Sequence, residues 1–336
     1  MGVIGDIFGF IATPLYYAIS GVMIAWYELF SLLGFDPEGG AVWALSIIGL
    51  TLVIRAALIP LFVRQIKSSR NMQLLQPKVK ELQKKYGHDR EKLAQETMKL
   101  YKDSGTNPFA SCLPILLQMP IFFTLFHLLN QAARSGTPHG FLTEDLAENF
   151  GNADLFGSIP IAESFWGAGI WREGGGQPAV MVLSLVLVLA MTATTFLTQR
   201  QLMSKNMPAD AMSGPYAQQQ KMLLYILPLA FGVGGVAFPI GVLLYWTTSN
   251  LWTMGQQFYV IRNNPAPGTP AFQAKQERDK AKALKHGEPV PEEGAVQVES
   301  EEDRRPVQRQ QPKKQSREQR KKGGGKSGPP RKGGRR

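Results

Sequence analysis

Arg55 is the residue of this chain most able to do chemistry, because it lies inside the apolar run LSIIGLTLVIRAALIPLFV. No Lys or Arg precedes it, and the next is Arg64. Nine helical residues place Arg55 roughly 13–14 Å deeper than that charged end. A guanidinium facing lipid at such depth costs at least ~2.5–3.5 kcal/mol. No Asp or Glu occurs in the five apolar runs 42–63, 109–131, 178–199, 222–238 and 240–261, so no ion pair within them can offset the cost. The cheaper solution is water, and Arg55 is expected to line a hydrated cavity. A fixed positive charge there attracts acidic or polar groups by its field.

Other polar residues recur at helical spacing in the same runs. Thr51 is one turn before Arg55, and Gln118 lies early in a second run. Thr192, Thr195 and Gln199 repeat at i, i+3, i+7, and Thr247, Asn250, Thr253 and Gln257 nearly do the same. The other half of these runs is apolar, as in 179–190. The pattern describes a groove wet from one side and sealed on the other. Helix glue is the competing account of the threonines, since Thr in a span often bonds its own backbone or a neighbouring helix. Arg55 differs, because glue needs no permanent charge.

Helices must position these residues. A membrane crossing takes roughly 20 apolar residues. Residues 42–63, 109–131, 178–199 and 240–261 qualify, and 222–238 is a shorter fifth, parted from the last by Phe238-Pro239-Ile240-Gly241. Residues 64–103 carry eleven Lys or Arg against five acids, whereas 132–177 carry two against six. Arg200, Lys205 and Lys221 flank the next loop against Asp210. Excess Lys and Arg mark cytoplasmic loops. The first and third loops are therefore expected inside and the second outside, with the N-terminus out and the C-terminus in. Residues 64–107, broken at Gly87, suit a hairpin of two amphipathic helices, with Pro77 starting or kinking one of them. That hairpin is a solvated connector or a docking surface. In residues 1–35, Asp6, Thr13, Tyr17, Ser20 and Tyr27 form one polar stripe. The stripe suits a helix lying in the outer interface, and a sixth span is the alternative.

Composition divides the chain near residue 262. A mean hydropathy of -0.11 averages the apolar part with a polar remainder. Residues 263–336 read as a disordered tail, rich in Pro, Gly, Gln, Lys, Arg and Glu. From Arg304 onward it carries fourteen Lys or Arg and one acid, Glu318, within a net charge of +11. Such a block seeks polyanions, here membrane lipid or ribosomal RNA. Cys112 is the only cysteine, so no intrachain disulfide forms. The charged start of a secretory signal and a lipobox cysteine are both missing. His88, His127, His139 and His286 fall at no metal-ligand spacing, and no phosphate-binding Gly loop is present. No metal, cofactor or enzymatic reaction is expected. A channel or solute transporter needs polar residues through the outer half. An intramembrane protease needs a partner for His127. A passive ribosome anchor leaves Arg55 without a purpose.

LVIRAALIPL, MQLLQPKVKELQKKYG, LYKDSGTNPFASCLPILLQMPIFF and FPIGVLLYWTTSNLWTMGQQFYVI follow one another across residues 42–262. In that order they resemble the signature of the YidC family of membrane protein insertases and its Oxa-type and Alb-type relatives. The resemblance implies an all-α membrane fold: a five-helix core, a cytoplasmic groove, and 64–107 as its helical hairpin. Arg55 matches the groove arginine. Gln199 and Trp246 match a polar and an aromatic groove position. Ser111 stands where many relatives have Gly, and no large periplasmic domain is seen, as in the short Gram-positive-like form. The implied partners are nascent membrane proteins, the ribosome, the Sec translocon and the signal recognition particle receptor, at the bacterial plasma membrane.

Overall fold

The structure is a computed structural model that describes residues 3–107, 113–169, 176–207 and 215–286. Met1–Lys282 forms one compact unit. Of the second unit, Ala283–Arg336, the described residues are the last turn of a helix. The expected segment 304–336 lies outside the described residues.

The described residues fold into helices and one two-residue ladder. The helices are α1 (Val3–Leu32), α2 (Gly40–Ala57), α3 (Ile59–Leu74), α4 (Gln76–Tyr86), α5 (Arg90–Asp103), α6 (Leu113–Ser135), α7 (Glu144–Asn152), α8 (Pro178–Asn206), α9 (Pro215–Gly235), α10 (Ile240–Asn263) and α11 (Pro270–His286). Strands β1 (Asp154–Leu155) and β2 (Ile159–Pro160) pair antiparallel between α7 and α8.

Local chemistry sets the boundaries. Pro60 has no N–H to bond back one turn, so the apolar run expected over 42–63 divides at Leu58 into α2 and α3. Pro77 starts α4, and Asp89 caps α5 by accepting from the Lys92 N–H at 3.0 Å. Thr143 caps α7, with Glu144 and Asp145 in its first turn where the helix dipole favours acids.

Residues 136–169 gather one end of the bundle. The Ile240 N–H donates to the Glu163 carbonyl (2.9 Å) and the Gly241 N–H to that of Ile161 (3.1 Å), tying down the start of α10. The Gln177 N–H donates to Ala168 (2.9 Å) just before α8. The Trp166 N–H donates to Val236 (3.0 Å) just after α9. Gly40 opens α2 against the backbone of Asp154 and Leu155, where an added Cβ lies 2.5 Å from main-chain atoms. His139 meets Gln131 near the end of α6 at 2.7 Å. Thus α2, α8 and α10 start at this capped end, while α6 and α9 finish there. The five long helices alternate in direction. Trp43, fully buried, seals the capped end. Its ring lies tilted against Tyr27 (4.4 Å) and edge-on to Phe150 (5.3 Å), and it donates its Nε1–H to Asn149 at 2.8 Å.

The exterior is apolar where a soluble protein is polar. Val182, Leu185, Val186 and Leu189 form an exposed stripe on α8, and Ile226, Leu229 and Val233 do so on α9. Stripes of that size need lipid or a partner against them. By length and composition, Ala12–Leu32, Gly40–Ala57 and Pro178–Asn206 are long and apolar enough to cross a membrane.

Two sequence expectations change. The polar stripe of the N-terminal segment is split: Thr13 and Tyr17 are exposed, whereas Ser20 and Tyr27 face protein. Ser20 and Tyr27 are buried: Ser20 accepts from the Phe141 N–H (2.8 Å) and Tyr27 donates to the Pro37 carbonyl (3.0 Å). The large apolar residues Leu29 and Leu32 are exposed as well. Second, the disordered tail expected from 263 begins with a helix instead. Thr269 caps α11 by accepting from the Phe272 N–H (3.3 Å), Pro270 opens it, and Ala, Lys, Gln, Glu and Arg fill it. Low hydropathy hid a segment of strong helix formers. The Ala266 N–H also donates to the Asn206 side chain at 2.8 Å, which fixes the connection between α10 and α11 to the end of α8.

Candidate functional site

Three helices bring one buried polar chain together. Arg55 comes from α2, is 9% exposed, and donates from Nε to the Ser249 hydroxyl of α10 at 3.0 Å. Its Nη2 donates to the same oxygen. Tyr245 lies one turn before Ser249, on the same face of α10. Gln118 of α6 donates to the Tyr245 hydroxyl. Arg55 is fifteen residues into α2, about 22 Å of rise from the capped end, and Ser249 is about 13 Å into α10. The difference follows from helix geometry, because a long side chain leans toward the N-terminus of its helix. Arg55 reaches back to the middle of the bundle.

The guanidinium has no carboxylate neighbour to draw on, since α2, α6, α8, α9 and α10 contain no Asp or Glu. Burying such a charge without a partner is expensive. What Arg55 has instead is a hydroxyl and, beyond it, a phenol and an amide. These groups orient the charge and leave it uncompensated.

The remaining sequence-predicted residues fall elsewhere. Thr51, fully buried, donates to the Ile47 carbonyl of its own helix at 2.7 Å. Thr192 and Thr195 likewise bond the carbonyls of Val188 and Met191, each at 2.8 Å. Asn250 crosses from α10 to α8, donating to Thr195 Oγ1 (2.9 Å) and the Met191 carbonyl (3.3 Å). Thr247 donates across the same seam to Leu187 at 3.4 Å. Thr192 also approaches α9, with Oγ1 2.8 Å from where a Cβ on Gly232 would stand. Gln199 is half-buried one turn past Thr195. Trp246 belongs to an aromatic cluster with Phe122 (5.1 Å), Phe231 (4.8 Å) and Phe238 (5.7 Å). Arg55 and Gln118 therefore share one network. Thr195, Thr247 and Asn250 share another, and the two lie on different faces of α10.

Ser249 and Tyr245 were missed. The signal for them was present: Tyr245 and Ser249 are four apart, the spacing that shares a helix face. They sit in LYWTTSNLW, beside the polar Thr247, Thr248 and Asn250. A separate groove of about 540 Å³ runs between α3 and the second half of α10, and none of the residues expected from the sequence lines it.

Comparison with known proteins decides the family. The family described as 60Kd inner membrane protein matches residues 35–267. A membrane protein insertase YidC of Streptomyces avermitilis is 44% identical over 85% of this chain, which spans 66% of that relative's length. A namesake from Tropheryma whipplei is 36% identical over 80% of this chain and 89% of its own. The chain belongs to the YidC family. A solved structure, described as an active YidC insertase with its first transmembrane domain resolved, is similar over 72% of this chain and 46% of its own, at 25% identity and a TM-score of 0.42. Membership in the YidC family accounts for the apolar exterior of α8 and α9: this is a multi-pass membrane protein. Within that YidC-family bundle, the Arg55–Ser249 and Gln118–Tyr245 bonds, one turn apart on α10, are the polar junction of α2, α6 and α10 among the hydrogen bonds described.

Proposed function

We propose that this chain inserts newly made membrane proteins into the bilayer, with Arg55 receiving the polar flank of the substrate. The observation that carries the proposal is a buried guanidinium at mid-depth, aimed by Ser249, among helices α2, α6, α8, α9 and α10, which hold no acid. Carrying polar backbone and side chains through hydrocarbon is the difficult part of insertion. A cation halfway across shortens the dry path and draws an acidic flank toward it. The substrate's apolar span then leaves between helices into lipid. Burial of ~20 apolar residues drives that step, and no nucleotide is required.

The reading extends to topology. Five alternating helices, α2, α6, α8, α9 and α10, cross the membrane with the capped end outside. The α4–α5 pair and the C-terminal tail lie in the cytoplasm, where the Lys and Arg excess belongs. Helix α1 lies along the outer interface. Its support is that Tyr16, stacked on His139 (4.8 Å), and Tyr27, bonded to Pro37, both meet capped-end loops although they are eleven residues apart. Gln118, Thr51, Thr192, Thr195, Gln199, Trp246, Thr247 and Asn250 shape the groove or hold its walls. The partners are nascent membrane proteins, membrane lipids, the ribosome through 304–336, the Sec translocon and the signal recognition particle receptor.

Reconstitution tests the proposal. The purified chain in liposomes should render a small single-span substrate protected from external protease. Equal protection in empty liposomes would refute the insertase activity.

A further inference from the structure

The groove between α3 and α10 lies apart from the Arg55 junction. Its walls are Ile59, Val63 and Ile66 on one side and Leu251, Gly255 and Tyr259 on the other, enclosing about 540 Å³. Gly255 opens it: a Cβ built there meets nothing within 4 Å. From Leu251 to Arg262 the rise is about 16 Å, close to half of the ~30 Å hydrocarbon core. The apolar length thus matches one leaflet.

Two arginines stand beside lining residues in the part of α3 and α10 away from the capped end. Arg64 follows Val63 directly, and Arg262 stands two residues before Asn264, which also lines the groove. Both arginines are exposed, and neither α3 nor α10 contains an acid. Arg278 of α11, between Glu277 and Asp279, adds its guanidinium at the Arg262 carbonyl (2.7 Å). Within the groove, Trp252 donates to Gln256 at 3.1 Å, so the polar atoms there are held at the wall.

We propose that this groove is a binding site for one anionic phospholipid, its acyl chain against Gly255 and its headgroup phosphate between Arg64 and Arg262. An apolar slot one leaflet long with cations at its mouth fits a lipid better than it fits a peptide helix. A peptide helix is about 10 Å wide and needs no anion. The proposal rests on the membrane placement of α3 and α10 and not on the insertase reading, so either can fail alone.

Native mass spectrometry of the full chain in detergent tests it, with phosphatidylglycerol and phosphatidylcholine of identical acyl chains added in turn. The wild-type chain retains phosphatidylglycerol in preference. Arg64→Gln and Arg262→Gln each reduce that preference about fivefold, the attraction of one basic residue at an anionic surface. Gly255→Leu fills the slot and lowers retention of both lipids. Val63→Trp does so from the opposite wall and serves if Gly255→Leu fails to fold. Retention unchanged in the filled variants overturns the proposal, even if insertion falls, because the slot then serves a protein helix. Equal retention of the two lipids by the wild type also overturns it.

Discussion

At the scale of the residue, the chemistry rests on a charge held by a hydroxyl. Ser249 orients Arg55 without neutralising it. If the field of Arg55 draws in acidic flanks, its charge matters more than its shape. Arg55→Lys then keeps most insertion, Arg55→Ala loses about tenfold, the scale of a charged hydrogen bond, and Arg55→Glu loses most. The loss is greatest for a substrate with Asp or Glu in its translocated flank, measured beside a neutral-flank twin at equal insertase levels. Equal loss on both substrates would leave Arg55 a structural role only. Ser249→Asp separates charge from packing. The new carboxylate pairs with the guanidinium, so thermal stability holds or rises while insertion of the acidic-flank substrate falls as far as in Arg55→Ala. Full insertion by Ser249→Asp would end the charge-attraction account.

The element scale is governed by how closely helices approach. Asn250 and Thr247 fasten α10 to α8 through the carbonyls of Met191 and Leu187 and the hydroxyl of Thr195. Interhelical hydrogen bonds of this kind average ~0.6 kcal/mol in membranes and reach ~1.7. Asn250→Leu should lower stability by about 1 kcal/mol and reduce insertion of acidic-flank and neutral-flank substrates alike. A selective effect on one flank would move Asn250 from the seam to the substrate path. Gly40 is a steric case. Its Cα faces the main chain of Asp154 and Leu155, which cannot yield as a side chain can. Gly40→Ala should cost about 1–3 kcal/mol in thermal unfolding. Gly234→Ala on α9, with open space at its Cβ, should be neutral or slightly stabilising. Equal melting temperatures for the two variants would mean that the β1–β2 segment does not hold the start of α2.

For the whole molecule, orientation is the open quantity. With Cys112→Ser as background, a cysteine at Lys84 should react only with reagents that enter the cell, and one at Phe156 with impermeant reagents outside. Phe156 is 89% exposed beside Gly157 at the tip of the β1–β2 turn, so access does not limit the test. Labelling of the Lys84 position from outside would invert the topology. The segment 304–336 is tested separately. Ribosome binding through phosphates weakens steeply with salt, by about 0.7 to 0.9 log units per contact for each tenfold rise. Deleting 304–336 should remove both the co-sedimentation and its salt slope. Unchanged sedimentation would assign the contact to another surface.

Much of this was legible in the chain itself because hydrophobic burial and charge cost are local properties. Arg55 stood out by depth alone. The apolar runs marked the long helices, Pro77 marked the start of α4, and Gly87 marked the break before α5. The division at Leu58 and the helix over Pro270–His286 were also written locally, in Pro60 and in a Thr-Pro start followed by strong helix formers. Hydropathy outweighed them. What only tertiary structure decided was which face meets which. Periodicity places Ser249 and Asn250 in one polar patch. The helix rotates them about 100° apart, so one meets Arg55 of α2 and the other Thr195 of α8. The same rule turned Ser20 inward on α1, because Phe141 in the 136–143 loop, 121 residues away, supplies its hydrogen bond, while Tyr27 turns in toward Pro37 just beyond the helix. A single chain states the spacing of its polar groups. The partners that satisfy them come from helices 55 to 194 residues away, and their choice depends on packing that no local pattern encodes.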